Sequence, residues 1–377
     1  MSVNQPRSPE VYLNLNVRGM GNSATLAINE HSNRLQAEGR QVYRLGLGQS
    51  PFPVPAHVRD SLAHNAHQKD YLAVKGLPAL RQAVVGWVKR TEGIDYSPDN
   101  VLVGPGTKEL MFLVQLVYYG DLVIPSPSWV SYAPQARIIG RHIHWLRTRP
   151  ETGLGVEPDA LEELCARDPE RPRLLILNSP SNPTGLCYSA EQLQALAQVL
   201  RKYRVLALSD EIYSGTHYSG GHVSLARYYP EGTIISNGLS KWCGAGGWRL
   251  GFFVFPQSLS WLADAMAAVA SETFTSTSAP IQYAAVSALQ DRPEMTSYLL
   301  RSRRILAELA GHAHRTLTGA GAVMSPAAGG FYLVPRFEAH RDRLTGRGID
   351  NGRTFCERLL EETGVAALPG DCFGRPD

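Results

Sequence analysis

Six short apolar runs rich in β-forming residues mark the middle of the chain: Val101–Val103, Leu122–Ile124, Leu174–Leu177, Val205–Leu208, Thr233–Ile235 and Phe252–Val254. Between them lie stretches with helical apolar spacing, such as residues 190–204. A strand that is apolar at consecutive positions has to be covered on both faces, and the alternating helices supply the cover. The pattern predicts an α/β fold of three αβα layers around a mostly parallel sheet. Proline and glycine cluster over Gly46–Pro55, which predicts an N-terminal arm and part of a small domain over 1–54, leading into a large domain over 55–280. Past Ala279 the pattern changes to long helices and then to Gly329-Gly330-Phe331-Tyr332-Leu333-Val334, which predicts a smaller α+β domain over 281–377 built from both chain ends. The 377 residues suffice for one large and one smaller core.

The composition, 44% hydrophobic and 19% charged, excludes a disordered chain. The net charge of +3 is spread along the chain, and its densest basic cluster, Arg301–Arg304, falls in a helical pattern and reads as a solvated helix face. No nucleic-acid partner is therefore expected. The five cysteines, Cys165, Cys187, Cys243, Cys356 and Cys372, are odd in number and widely spaced, which points to a reducing cytoplasm. No charged-then-apolar leader and no bilayer-length apolar run is legible, so a cytoplasmic protein without membrane association is expected. His64-x-x-His67 and His142-x-His144 lack acidic partners at ligand spacing, so no metal is expected and the eleven histidines are read as ordinary surface residues.

In an open parallel sheet the ligand site lies at the carboxyl ends of the strands. After Val103 comes Gly104-Pro105-Gly106-Thr107-Lys108, a glycine turn opening a helix, whose free N–H groups suit an anion; it reads equally as an ordinary helix start. Trp129, in the turn after Ile124, is placed to stack on a flat heterocycle or to serve as core. Asn182 stands before Pro183 and is held extended, able to aim its amide at a ligand oxygen. Asp210 ends a buried run, with Tyr213 shortly after; an unpaired carboxylate there is costly, so a cation is expected to face it, either a ligand's or a structural arginine's. Lys241 and Arg249 lie in Ser240-Lys241-Trp242-Cys243-Gly244-Ala245-Gly246-Gly247-Trp248-Arg249. An amine beside a guanidinium suits a Schiff-base lysine and an anionic cofactor, though such a loop also reads as plain surface.

As a set these residues resemble the class I and II aminotransferases of the pyridoxal-phosphate fold type I family, from about Asn22 to the last residue. Leu45-Gly46-Leu47-Gly48, Tyr71, Gly76–Arg81, Gly106-Thr107-Lys108, Pro127–Tyr132, Asn178–Gly185, Asp210–Tyr213 and Ser240–Gly251 carry the likeness. The resemblance implies that Lys241 carries the Schiff base and shuttles the substrate proton, and that Asp210 pairs with the pyridinium nitrogen. Asn182 and Tyr213 would hold the ring oxygen, and Trp129 would stack on the ring. Gly106, Thr107, Lys108, Ser240 and Arg249 would hold the phosphate. It further implies a homodimer in which Tyr71 reaches the neighbouring phosphate, and a substrate carboxylate near Gly48, Asn182 and Tyr332.

Two departures stand out. Gly238 occupies a position where many members carry serine. The family also continues past Pro369–Gly374 to an arginine that grips the substrate carboxylate, whereas this sequence reaches Asp377 with only Arg375, too early to match; a longer natural chain is expected. Three readings follow: a transaminase exchanging an L-amino acid, aspartate first, with a 2-oxo acid such as 2-oxoglutarate; a carbon–sulfur β-lyase on the same fold; and a non-catalytic cofactor-binding homologue.

Overall fold

The computed structural model describes residues 12–21 and 24–374; Asn22, Arg375 and Asp377 lie outside the described residues. Its elements in chain order begin with α1 (Ala24–Ala37), β1 (Tyr43–Arg44), α2 (Ala56–His64), α3 (Pro78–Glu92), β2 (Val101–Gly104), α4 (Thr107–Val117), β3 (Asp121–Ser126), α5 (Tyr132–Ile138) and β4 (Ile143–Arg147). They continue with α6 (Pro158–Ala166), β5 (Arg173–Asn178), α7 (Ala190–Lys202), β6 (Leu206–Asp210), β7 (Thr233–Gly238), β8 (Gly251–Val254), α8 (Ser260–Ser271) and α9 (Ala279–Leu289). The last elements are α10 (Pro293–Gly319), α11 (Arg341–Thr345), α12 (Gly352–Thr363) and β9 (Val365–Ala366).

Seven strands form one sheet in the order β2-β8-β7-β6-β5-β3-β4. Consecutive apolar residues on a strand point to opposite faces, and the cores divide accordingly. Leu102, Leu122, Ile124, Leu174, Ile176, Leu206, Leu208 and Ile234 pack on one face against α4, α5 and α8. On the other face Val101, Val103, Ile235 and Phe252 meet α2, α3 and α9, while Val123, Leu175, Leu177 and Ala207 meet α6 and α7. Three αβα layers result. All six expected strands form, but β8 runs antiparallel to both β2 and β7. A chain that leaves β7 and returns through the tight turn of 239–250 has no room for a crossover helix, so it pairs in the opposite direction. The seventh strand, β4, lies at the sheet edge, where one face can stay open, and His144 interrupts its apolar residues, so it carries no continuous apolar run.

The two chain ends meet in a second, two-stranded parallel sheet, where Tyr43 pairs with Val365 and Arg44 with Ala366. Leu35, Leu360 and Ala366 bury one another beneath it, with Ile28 and Val42 packed alongside. The composition change near Ala279 coincides with the start of α9, yet Ala285, Ala288 and Leu289 of α9 and Met295 of α10 still pack in the core of the larger sheet. All five cysteines are free. No helix among the described residues is long and apolar enough to cross a membrane.

The histidines depart from the surface expectation at two places. His144 pairs with Asp121 at 3.0 Å, a partner 23 residues away that spacing along the chain could not reveal. The His222 side chain is 7% exposed and lies 3.2 Å from a carboxylate oxygen of buried Glu211, with Glu92 in the same cluster. Arg227 donates to Glu92 at 3.0 Å, so the buried charges there are compensated by the chain's own cations.

Candidate active site

The parallel strands end along one edge of the sheet, and their register sets the site. Asn178 at the end of β5 lies opposite Asp210 at the end of β6, which in turn lies opposite Ser236 of β7. Asn178 donates its side-chain amide to the Asp210 carbonyl at 2.8 Å and accepts from the Asn182 backbone N–H at 2.7 Å. One buried side chain thus ties the 178–185 loop to the end of β6. Sequence reasoning quoted Asn178 only as part of a motif and missed this role.

Asp210 is 3% exposed, and its Oδ2 accepts from the Tyr132 hydroxyl at 2.5 Å. Among the described residues no arginine pairs with Asp210; its side-chain partner within the chain is a phenol, because α5 begins at Tyr132 beside the strand end. Burial pushes the Asp210 carboxyl up to about 6, with the Tyr132 hydrogen bond opposing it and Lys241 exerting a smaller pull. Tyr132 was the second residue missed; its signal was a phenol three residues after Trp129. Trp129 meets the Tyr132 ring edge-on at 5.2 Å between centroids, and the Lys108 ammonium sits 5.1 Å from the centre of the indole.

Lys241 follows β7 by three residues and is half-buried. Its Nζ donates to the Gly48 carbonyl at 2.5 Å and lies 5.5 Å from the Tyr213 ring centre. Burial lowers its pKa to about 8; Asp210 opposes this, and Arg249 and Lys108 add to it. Lys108 is itself lowered by burial and by Arg249. Three cations therefore converge where α4 begins, and no ion pair engages Lys108, Lys241 or Arg249 among the described residues. Gly106, at the N-cap of α4, has φ +92°, and a Cβ there would stand 2.3 Å from Arg249 Nη2. Only glycine permits both that backbone and that approach. Thr107 opens the helix, with its backbone N pressed toward Gly251, and Ser240 lies partly buried just before Lys241.

Tyr213 is buried, and its hydroxyl meets that of Tyr332 at 2.6 Å. Burial and then Tyr332 hold the Tyr213 phenol well above its ordinary range, with Asn182 pulling the other way. Asn182 Oδ1 is buried and has no hydrogen-bond partner among the described residues. A Cβ on Gly48 would stand 2.1 Å from the Tyr332 hydroxyl, so Gly48 and Tyr332 close on each other over Lys241. Tyr71 is different: it is 91% exposed and makes no hydrogen bond or ring contact with the others among the described residues.

The resemblance implies pyridoxal phosphate, and the residue set fits it. The converging cations and the Gly106 cradle at a helix N-terminus suit a phosphate. A neutralisable half-buried amine suits an aldehyde, the buried acid Asp210 suits a ring cation, and the Asn182 oxygen, unpartnered among the described residues, suits polar ring substituents together with the Tyr213 hydroxyl.

The family profile described as aminotransferase class I and II matches residues 40–377. An aspartate aminotransferase of Geobacillus stearothermophilus is 34% identical over 364 residues, covering 94% of this chain and 90% of that protein. An aspartate/prephenate aminotransferase of Nitrosomonas europaea is 32% identical, covering 96% of this chain and 92% of its own length. Among solved structures, an aspartate aminotransferase from Thermus thermophilus with maleate superposes with a TM-score of 0.87 at 30% identity, over 96% of this chain and 92% of that one.

Proposed function

The chain belongs to the class I and II aminotransferases, which depend on pyridoxal phosphate, and on that premise we propose that it moves the amino group of L-aspartate to a 2-oxo acid such as 2-oxoglutarate. The observation that carries the reading is Lys241, a half-buried amine lowered to about 8 chiefly by desolvation, set beside the Gly48 carbonyl and the Tyr213 ring. At neutral pH about a tenth of such an amine is neutral, against a few parts in ten thousand for an unperturbed lysine. Aspartate as donor is supported by the names of the relatives. Those names favour the transaminase over both the lyase and the non-catalytic reading.

Bound here, the cofactor supplies an aldehyde for an amine and a ring that accepts the electron pair left when the substrate α-proton departs. The chain's own residues would do the rest. Lys241 would capture the aldehyde and, once released, carry the α-proton. Asp210 would hold a proton on the ring nitrogen: it accepts from the Tyr132 hydroxyl and the Ile212 backbone N–H and keeps lone pairs free for a further donor. Asn182 and Tyr213 would orient the ring oxygen, and Trp129 would cover a ring face. Gly106, Thr107, Lys108, Ser240 and Arg249 would hold the phosphate, with Lys108 and Arg249 supplying the charge. Gly48, Asn182 and Tyr332 would border the substrate carboxylate.

The functional unit would be a homodimer in the cytoplasm. Its support is the exposed Tyr71 together with exposed Tyr12, Leu13, Leu15 and Val17 near the start of the chain, which a partner subunit would cover. Residues 55–280 would form the cofactor domain, with the small domain assembled from both ends around β1 and β9.

The test is the visible spectrum of the purified protein with pyridoxal phosphate, before and after L-aspartate, L-glutamate or an aromatic amino acid. Conversion to the aminated cofactor with release of oxaloacetate supports the proposal. A band that ignores every donor would sink it.

A further inference from the structure

Tyr332 lies far along the chain from Tyr213, yet its place is fixed by the loops that carry Tyr213 and Asn182. The Tyr218 backbone N–H donates to the Ala328 carbonyl at 2.9 Å, Gly330 donates to the Thr216 carbonyl at 3.3 Å, and Ala328 donates to the Gly185 carbonyl at 2.9 Å. A bridge between His217 and Gly329 completes the zipper. The Tyr332 ring then meets the Tyr213 ring edge-on, with centroids 5.5 Å apart and planes at 85°. Its hydroxyl fills the notch left by the missing side chain of Gly48 and stops 2.6 Å from the Tyr213 oxygen. The charged groups facing this pair are Lys241, 5.5 Å from the Tyr213 ring centre, and Asp210, which acts on Tyr213 through its charge.

Each phenol has one proton to give. If Tyr213 gives its proton to the phenolic oxygen of the cofactor, as the proposed function holds, the bond between the two tyrosines has a single donor left. We propose that Tyr332 is a positioning residue: its hydroxyl donates to the Tyr213 oxygen, which frees the Tyr213 proton for the cofactor's ring oxygen and couples the small domain to the cofactor. The inference rests on the reading of Lys241 and Tyr213 given above. A phenol that accepts one hydrogen bond becomes a better donor of another, because chained hydrogen bonds polarise each other. Tyr332 thereby stabilises negative charge on the ring oxygen without touching it.

The test compares the parent protein, Tyr332→Phe, Tyr213→Phe and the double variant, each loaded with pyridoxal phosphate, by the pH midpoint at which one visible absorption band converts to the other. Phenylalanine keeps the ring in its notch, and circular dichroism of the cofactor-free proteins checks that the fold persists. Tyr332→Phe is expected to raise the midpoint by roughly half to one pH unit, the size of one lost hydrogen bond. In the Tyr213→Phe background the same change is expected to leave the midpoint where it is. An unchanged midpoint in Tyr332→Phe, or an equal shift with and without the Tyr213 hydroxyl, overturns the inference while leaving the proposed function standing. A parent protein that forms no visible band overturns both.

Discussion

The Tyr132 hydroxyl donates to Asp210 Oδ2 at 2.5 Å beneath the end of β6, so the buried carboxylate that most defines the site is held by a phenol on the neighbouring helix rather than by a cation of its own chain. The same arrangement leaves Asp210 raised to about 6 by burial, above its ordinary 3.8. An acid raised in the folded state favours folding when protonated. That contribution is full below about pH 4 and is lost as the pH climbs through about 6.

Asp210→Asn keeps an acceptor for Tyr132 and removes the buried charge. In the cofactor-free protein it is expected to raise the melting temperature at pH 8, by a stabilisation on the order of 2 kcal/mol, with a much smaller gain at pH 4. Transaminase activity of the loaded variant is expected to fall at least a hundredfold. Equal melting gains at both pH values would show that charge burial is not the cause.

Lys241 is lowered to about 8 from 10.5, chiefly by burial. A cation lowered in the folded state costs stability below the folded value and is relieved as the pH rises from about 8 toward 10.5. Capture of pyridoxal phosphate by the cofactor-free protein should accelerate with pH around a midpoint near 8, followed by stopped-flow absorbance. Lys241→Ala should abolish the covalent band at every pH.

Gly106→Ala places a methyl group 2.3 Å from Arg249 Nη2 on a backbone with φ +92°. The guanidinium must move and the turn must strain, at a cost of about 1–2 kcal/mol. Cofactor affinity is expected to weaken about tenfold, read by fluorescence titration, with Arg249→Lys as the control that keeps charge but loses the planar clamp.

Tyr71 is 91% exposed in the single chain, and the homodimer reading sends it into the neighbouring site. Tyr71→Ala and Lys241→Ala should each be nearly inactive alone. Unfolded together and refolded, they should recover up to about a quarter of parental activity, because half the dimers are mixed and each mixed dimer has one intact site. No recovery from a mixture whose mixed dimers are demonstrated by native mass spectrometry would exclude a shared site.

The sequence alone determined the layers and the residue types that stand at the strand ends. Consecutive apolar residues in β3, β5, β6 and β7 can be satisfied only by cover on both faces, and that is a local property of the chain. The glycine at 106, the lysine after β7 and the acid closing β6 were likewise legible, because each residue type is tied to a turn or a strand end adjacent in sequence. Tertiary structure decided the rest. The antiparallel sense of β8 and the edge strand β4 depend on which neighbour each strand meets. Tyr132 under Asp210, the Gly48 carbonyl on Lys241 and Tyr332 against Tyr213 join residues 78, 193 and 119 positions apart. The burial of His222 beside Glu211 and Glu92 is of the same kind. Hydrogen bonds of a few ångströms between distant segments depend on strand register and loop closure, which no local spacing encodes, and these contacts set the protonation of the groups whose identity the sequence had already supplied.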